Sequence, residues 1–160
     1  VQRWENGVLA FLIHMLGAVE EAEDLRQDTF VKVYGKAAQY EAQGLFKSWL
    51  FRIARNLARS RLRRRKVLRW VQFETSAHDT PAADEGALAH LEEVEVKSKV
   101  RSAVAALPLR QREALVLHRF QGLKYKEVAV AMETTVPGVE SLIQRAMAAL
   151  KVELAGKGDL

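Results

Sequence analysis

Between Phe46 and Arg64 two rows of side chains run along one stretch of chain, and together they leave it a single kind of structure. Phe46, Trp49, Leu50, Ile53 and Leu57 recur at three and four residues, the spacing of a buried helix face. Arg52, Asn56, Arg59 and Arg63 recur at the same spacings on a different face. A strand, with its period of two, would scatter both rows over both of its sides. One helix therefore carries a core stripe and a polar, basic stripe. The charge extends beyond it: from Lys47 to Gln72 there are ten basic residues and no acidic one, and from Glu74 to Val96 seven acidic residues and no basic one. Ten neighbouring cations repel each other, which favours a polyanionic partner such as nucleic acid. The plainer alternative is a solvated helix face beside an acidic spacer.

The rest of the chain follows the same helical period, so the expected fold is all-α. It consists of two small helical domains (1–70 and 88–160) joined by a flexible acidic linker (71–87), with a helix-turn-helix in the second. In the first domain a helix is expected over Gln2 to Leu16. A second follows from Val19 to Gln39, with Ala22, Leu25, Thr29, Val33 and Ala37 as its apolar stripe. Glu20, Asp24, Gln27 and Asp28 lie on its opposite side, and a third helix covers Phe46 to Arg64. Thr75, Ser76, His78, Asp79, Thr80, Pro81 and Gly86 mark the linker by composition. Beyond it, helices are expected from Ala87 to Leu107, stopped by Pro108, and from Leu109 to Phe120, ended by Gln121-Gly122.

A short helix, Tyr125 to Met132, a turn at Glu133-Thr-Thr135 and a longer helix from Val136 to Leu154 make the helix-turn-helix. Thr135 suits the N-cap, and Pro137 in the first turn needs no backbone donor. Val128, Ala129, Met132, Val139, Ile143, Ala146 and Leu150 would pack the pair together. Outward, the second helix would present Glu140, Ser141, Gln144 and Arg145, with side chains able to read cytosine, adenine and guanine edges. Lys124, Lys126 and Lys151 are placed to meet phosphates. A plain helical hairpin would show much the same pattern.

Other classes find little support. The chain has no cysteine, which excludes disulfides and thiolate metal sites and suits a reducing cytoplasm. Its longest apolar run, Val8 to Val19, falls short of the ~20 residues that cross a bilayer, so no membrane contact of its own is expected. No secretory leader is expected, and because the chain begins at Val1 a preceding N-terminal piece is. No nucleophile elbow, phosphate loop or paired metal-ligand motif occurs, and His14, His78, His90 and His118 are scattered. No catalytic residue, metal, cofactor or small-molecule substrate is therefore expected. A metal-dependent nucleic-acid enzyme would need a carboxylate cluster within Lys47 to Gln72, which has none.

The two halves also resemble, in order, pieces of one family. Ala22-Glu-Asp-Leu-Arg-Gln-Asp-Thr-Phe30 looks like the polymerase-binding helix of the extracytoplasmic-function (group IV) sigma factors. Phe46-Lys-Ser-Trp-Leu-Phe-Arg-Ile-Ala-Arg-Asn56 and its basic run resemble their promoter-melting and −10-reading helices. Ala106-Leu-Pro-Leu-Arg-Gln-Arg-Glu113, Gly122-Leu-Lys-Tyr-Lys-Glu-Val-Ala129 and Val139-Glu-Ser-Leu-Ile-Gln-Arg-Ala146 resemble the domain that reads the −35 element. The resemblance implies a dissociable specificity subunit with no catalysis of its own, whose partners are core RNA polymerase, promoter DNA and an anti-sigma protein.

By the same resemblance Asp24, Gln27 and Asp28 would meet the clamp helices of the polymerase, and the loop from Tyr40 to Leu45 would cradle a flipped base. Asn56 would help hold that base, with Arg52, Arg55, Arg59, Arg63 and the run from Arg61 to Lys66 on phosphates. Lys124, Glu140, Ser141, Gln144 and Arg145 would serve the −35 contact. Here the chain departs from the commonest pattern: Glu140, Leu142 and Met147 stand where members often carry cations, which predicts weaker phosphate anchoring. The nearest rival is a stand-alone helix-turn-helix regulator, which leaves the acidic second helix and the arginine run without a purpose.

Overall fold

The computed structural model describes residues 2–40, 44–75 and 91–158, and every regular element among them is helical. Helix α1 (Gln2–Leu16) stops at Gly17, whose φ of 69° lets its N–H turn back to the Ile13 carbonyl at 2.7 Å. Helix α2 (Val19–Lys36) opens with Glu20 and Glu21 in its first turn, where carboxylates complement the helix dipole. It buries Ala22, Leu25, Thr29, Phe30 and Val33, and the Thr29 hydroxyl donates to the Leu25 carbonyl at 2.6 Å. Ala37, expected on that stripe, is instead exposed in a 3₁₀ turn over Ala37–Gln39.

Helix α3 spans Phe46–Thr75, eleven residues (75 − 64) beyond the end expected at Arg64. The apolar period does stop near there, since Val67, Leu68, Trp70 and Val71 are exposed. What continues is backbone preference: Arg, Leu and Lys are good helix formers, and no Gly or Pro interrupts the run. Residues 76–90, where most of the expected linker falls, lie outside the described residues.

The second half comprises α4 (Leu91–Ala105), α5 (Leu109–Leu115), α6 (Tyr125–Ala131) and α7 (Val136–Gly158). Where one helix was expected to Phe120, α5 gives way to a π-helical turn over Val116–Phe120. The Gln121 N–H reaches back to the Val116 carbonyl at 3.1 Å, and Gly122, with a φ of 71°, then reverses the chain. Thr135 acts as the cap that its position suggested, its Oγ1 accepting from the Gly138 N–H at 3.2 Å.

Val8, Phe11, Leu12 and Met15 of α1 pack on Leu25 and Phe30 of α2 and on Leu50, Phe51 and Ala54 of α3. In the second half Leu115, Leu117, Leu123, Val128, Met132, Val139 and Ile143 close a second centre. The two are not separate, because α3 packs along α6 and α1 touches both α4 and the π-helical turn. Gly7 permits this approach: a Cβ there would come within 2.8 Å of Gln121 Oε1 from the other half and 3.8 Å of Phe51 Cζ. Phe51 also meets Phe11 edge-on at 5.7 Å, so it ties α1, α3 and the junction together. Phe51→Ala should lower unfolding stability by about 3–5 kcal/mol in chemical denaturation, the cost of a large buried cavity.

Candidate polymerase and promoter interfaces

On α3, Leu50, Phe51, Ile53, Ala54 and Ala58 point into the core, which leaves Asn56 and Arg63 exposed and Arg52 and Arg59 half-buried. Arg63 Nη2 donates to Ser60 Oγ at 3.2 Å on the same surface. Two arginines of the run are differently placed. Arg65 donates to the Leu16 carbonyl at 2.7 Å and pairs with Glu21, so it neutralises the C-terminal end of α1. Arg55 is buried at 5% exposure, with its Nε 2.7 Å from Glu113 Oε2 on α5. In this arrangement, then, Arg55 does not stand on the open basic face.

At the start of Asn56's helix, Tyr40 and Trp4, which the periodicity did not single out, join Phe46 and Trp49 of its core stripe. Tyr40 lies tilted against Trp49 at 5.0 Å and meets Phe46 edge-on at 5.7 Å, while Trp4 sits 5.9 Å from Phe46. Trp49 is partly buried in this cluster, in keeping with its place on the core stripe. These rings flank the loop expected to cradle a base, of which residues 41–43 lie outside the described residues.

Asp24, Gln27 and Asp28 are all exposed on one side of α2. A shallow groove adjoins them, lined by Glu5, Arg26, Gln27, Phe30, Val31 and Tyr34. Val31 and Tyr34 are exposed, so the acidic and amide face carries apolar contacts as well. Only their departure from the apolar stripe could have marked them in the sequence.

Helices α6 and α7 form the expected helix-turn-helix, packed through Val128, Ala129, Met132, Val139 and Ile143. Glu140, Gln144 and Arg145 are exposed along α7, and Ser141 is partly covered. Lys124 is exposed at the start of α6, where its N–H donates to Glu127 Oε1 at 2.9 Å. The turn between the helices holds Glu133 at a φ of 55°, a left-handed conformation unusual for a residue with a side chain.

Among the described residues, polar side chains bridge the halves in several places. Glu113, with no exposed surface, receives Arg55 on one oxygen and Arg59 Nε on the other at 2.7 Å, with Arg59 Nη2 also 3.2 Å from Oε2. Ser48 Oγ donates to the Glu127 carbonyl at 2.9 Å. Arg112 Nη1 donates to the Met15 carbonyl at 3.3 Å. Arg52 lies 3.9 Å from Glu133. At the edge of the junction the His14 ring stacks on Phe120 at 4.6 Å. Burial, then the nearby Arg101 charge, lowers the His14 pKa from the ordinary 6.5, and its buried Nδ1 has no hydrogen-bond partner.

The Asn56 face of α3, the outer face of α7 and the acidic face of α2 lie on halves that match two known sequence families. The family described as "Sigma-70 region 2" matches residues 1–67, and "Sigma-70, region 4" matches residues 97–150. Among curated proteins, the chain is 34% identical to the ECF RNA polymerase sigma factor EcfG of Rhodopseudomonas palustris (strain TIE-1), covering 91% of this chain and 77% of that protein. It is 30% identical to the ECF RNA polymerase sigma factor SigM of Bacillus subtilis (strain 168), over 94% of this chain and 90% of that one. The solved structure of the Bartonella quintana sigma factor RpoE, bound to the anti-sigma factor NepR, superposes with a TM-score of 0.74. It is 28% identical and covers 96% of this chain and 95% of that one. The fold is that of a sigma-70-type initiation factor. The chain belongs to the extracytoplasmic-function group of that family.

The His14 site yields a pH dependence with a definite sign. Its pKa is lower folded than unfolded, so the unfolded chain binds the extra proton and stability rises with pH. The contribution is complete above 6.5 and is lost as pH falls through the lower folded value. Between about pH 5 and 8, thermal melts of the wild type should fall relative to His14→Phe on acidification, because the variant keeps a ring against Phe120 and cannot titrate. A constant difference between the two proteins would refute the assignment.

Proposed function

We propose that this chain brings core RNA polymerase to a defined set of promoters and helps open them, working in the cytoplasm as a dissociable specificity subunit without catalysis of its own. The observation that carries this reading is the order of the two matched regions on one chain, 1–67 and then 97–150, each with an exposed polar face of the right chemistry. In the first, Asn56 offers an amide donor and acceptor to an unstacked base, and Arg52 and Arg63 serve the phosphates around it, joined by Arg55 and Arg59 when these leave Glu113. In the second, α7 enters the major groove with Glu140, Ser141, Gln144 and Arg145 towards the bases, while Lys124 anchors the backbone. With Glu140 where a cation would bind more strongly, the −35 contact supplies selection more than affinity.

Asp24, Gln27 and Asp28 form the polymerase-facing surface, where carboxylates steer a basic partner and Val31 and Tyr34 add apolar area. The same surface suits an inhibitory partner. The Bartonella quintana relative is seen with an anti-sigma factor, and we extend that kind of partner to this chain. A stand-alone regulator would leave the α2 face without a role.

Run-off transcription on genomic promoter fragments tests the reading. Specific transcripts should require both core polymerase and this protein, and Asn56→Ala should cut open-complex formation roughly tenfold or more, the scale of a lost base contact. Paired charge reversal, Asp24→Lys with Asp28→Lys, should abolish transcripts by loss of polymerase binding. Absence of transcripts together with absence of binding to core polymerase would defeat the proposal.

A further inference from the structure

Arg55 and Arg59 sit one turn apart on α3 and aim their guanidinium groups at the same carboxylate, that of Glu113 from the other half. Both carboxylate oxygens are engaged, and the residue has no exposed surface. Two guanidinium forks converging on one oxyanion constitute a built anion site, and its geometry fits a phosphate as well as a carboxylate. One turn earlier Arg52 faces Glu133, from the turn of the helix-turn-helix. The second half thus sets two carboxylates against three arginines of the basic run, two of them on the row where a nucleic-acid backbone would lie. Ser48, buried against α6, and Gly7, with Gln121 where its Cβ would be, show how closely the halves are seated around these pairs.

We infer that the Arg55–Arg59 pair is a phosphodiester-binding site for which Glu113 acts as the built-in competitor, so that DNA and the closed arrangement of the two halves exclude each other. The inference rests on the promoter role proposed above for Arg55 and Arg59. Both ligands of the site carry negative charge and only one fits at a time. Parting the halves frees two cations for DNA and returns Glu113 to water. Closing the halves buries one anion with two cations, an arrangement whose desolvation cost offsets much of its attraction. The result is a switch with two accessible positions. The apparent DNA affinity of the free protein is then its intrinsic affinity scaled by the open fraction.

The absence of cysteine makes this directly measurable in the full chain. Lys36→Cys and Val152→Cys, both at exposed positions, place one fluorophore on each half. Energy transfer reports separation, and anisotropy reports binding to a labelled DNA duplex with a single-stranded tail of mixed sequence. Glu113→Gln leaves two cations facing a neutral amide, and Ser48→Leu wedges α3 from α6 without touching a charge. Both should separate the labels and tighten DNA binding by about tenfold, the gain from a closed state favoured by roughly ten to one. The double variant R55Q/R59Q should also separate the labels but gain no affinity. Separated labels with unchanged affinity in Glu113→Gln and Ser48→Leu would overturn the inference, as would R55Q/R59Q binding as tightly as Glu113→Gln. Run-off transcription by the wild type with core polymerase tells failure of the competition from failure of the promoter role: transcripts alongside either overturning result would sink the competition while the sigma reading stands.

Discussion

A carboxylate sealed from water is tolerable only where cations meet it, and Glu113 finds both of its cations on the far side of the chain's midpoint, at Arg55 and Arg59. Its seating fixes much of the rest. It sets α5 against α3, and the π-helical turn that follows then carries Phe120 over His14 and Gln121 over Gly7. Arg112, one residue before Glu113, reaches the Met15 carbonyl at the C-terminal end of α1. Arg65 meets the neighbouring Leu16 carbonyl from α3. Two guanidinium groups from different halves therefore converge on the negative end of one helix, where cations are favoured.

Glu133 shows the same logic in a strained form. Its φ of 55° is one that glycine adopts freely and other residues adopt at a cost. Glycine in that turn would relieve the backbone but remove the carboxylate facing Arg52. The side chain thus has a use across the junction that the helix-turn-helix by itself does not require. At 3.9 Å and with both partners partly exposed, this pair is weak, and the buried Glu113 cluster holds the greater share of the charge coupling.

Much of this architecture was legible in the chain's periodicity. The core row of α3, the acidic row of α2 and the α6–α7 pair all appear where the spacing of three and four placed them, because each is a local pattern on one helix. The full length of α3 was not legible, because every residue from Lys66 to Gln72 is exposed and the apolar period ends before the helix does. The buried state of Arg55 was hidden for a deeper reason. Helical spacing sorts residues into faces, yet it does not say which face a distant segment will cover, and Arg55 and Asn56 differ by one position but lie on opposite sides of that choice. Glu113 stood in a stretch recognised by resemblance, with nothing in its neighbours to announce that its counter-ion Arg55 was 58 residues away. Polar pairs between segments are set by tertiary geometry, and a single sequence carries no periodic trace of them.

The burial of that cluster also decides how the molecule responds to salt. Mobile ions screen exposed charges beyond about 10 Å at 0.1 M ionic strength, and they reach a sealed pair poorly. In the proposed role, the attraction between the arginine row and DNA is of the exposed kind and weakens steeply as salt rises, because releasing DNA's counterions into a saltier solution gains less entropy. Added salt therefore tilts the same arginines towards Glu113 and away from phosphate. In the proposed role, polymerase on α2 and promoter DNA on α7 act in the opposite direction, because binding the two halves at separate points supplies the work of holding them apart. Under the proposed competition, a high-salt, polymerase-free solution keeps Arg55 and Arg59 occupied by Glu113.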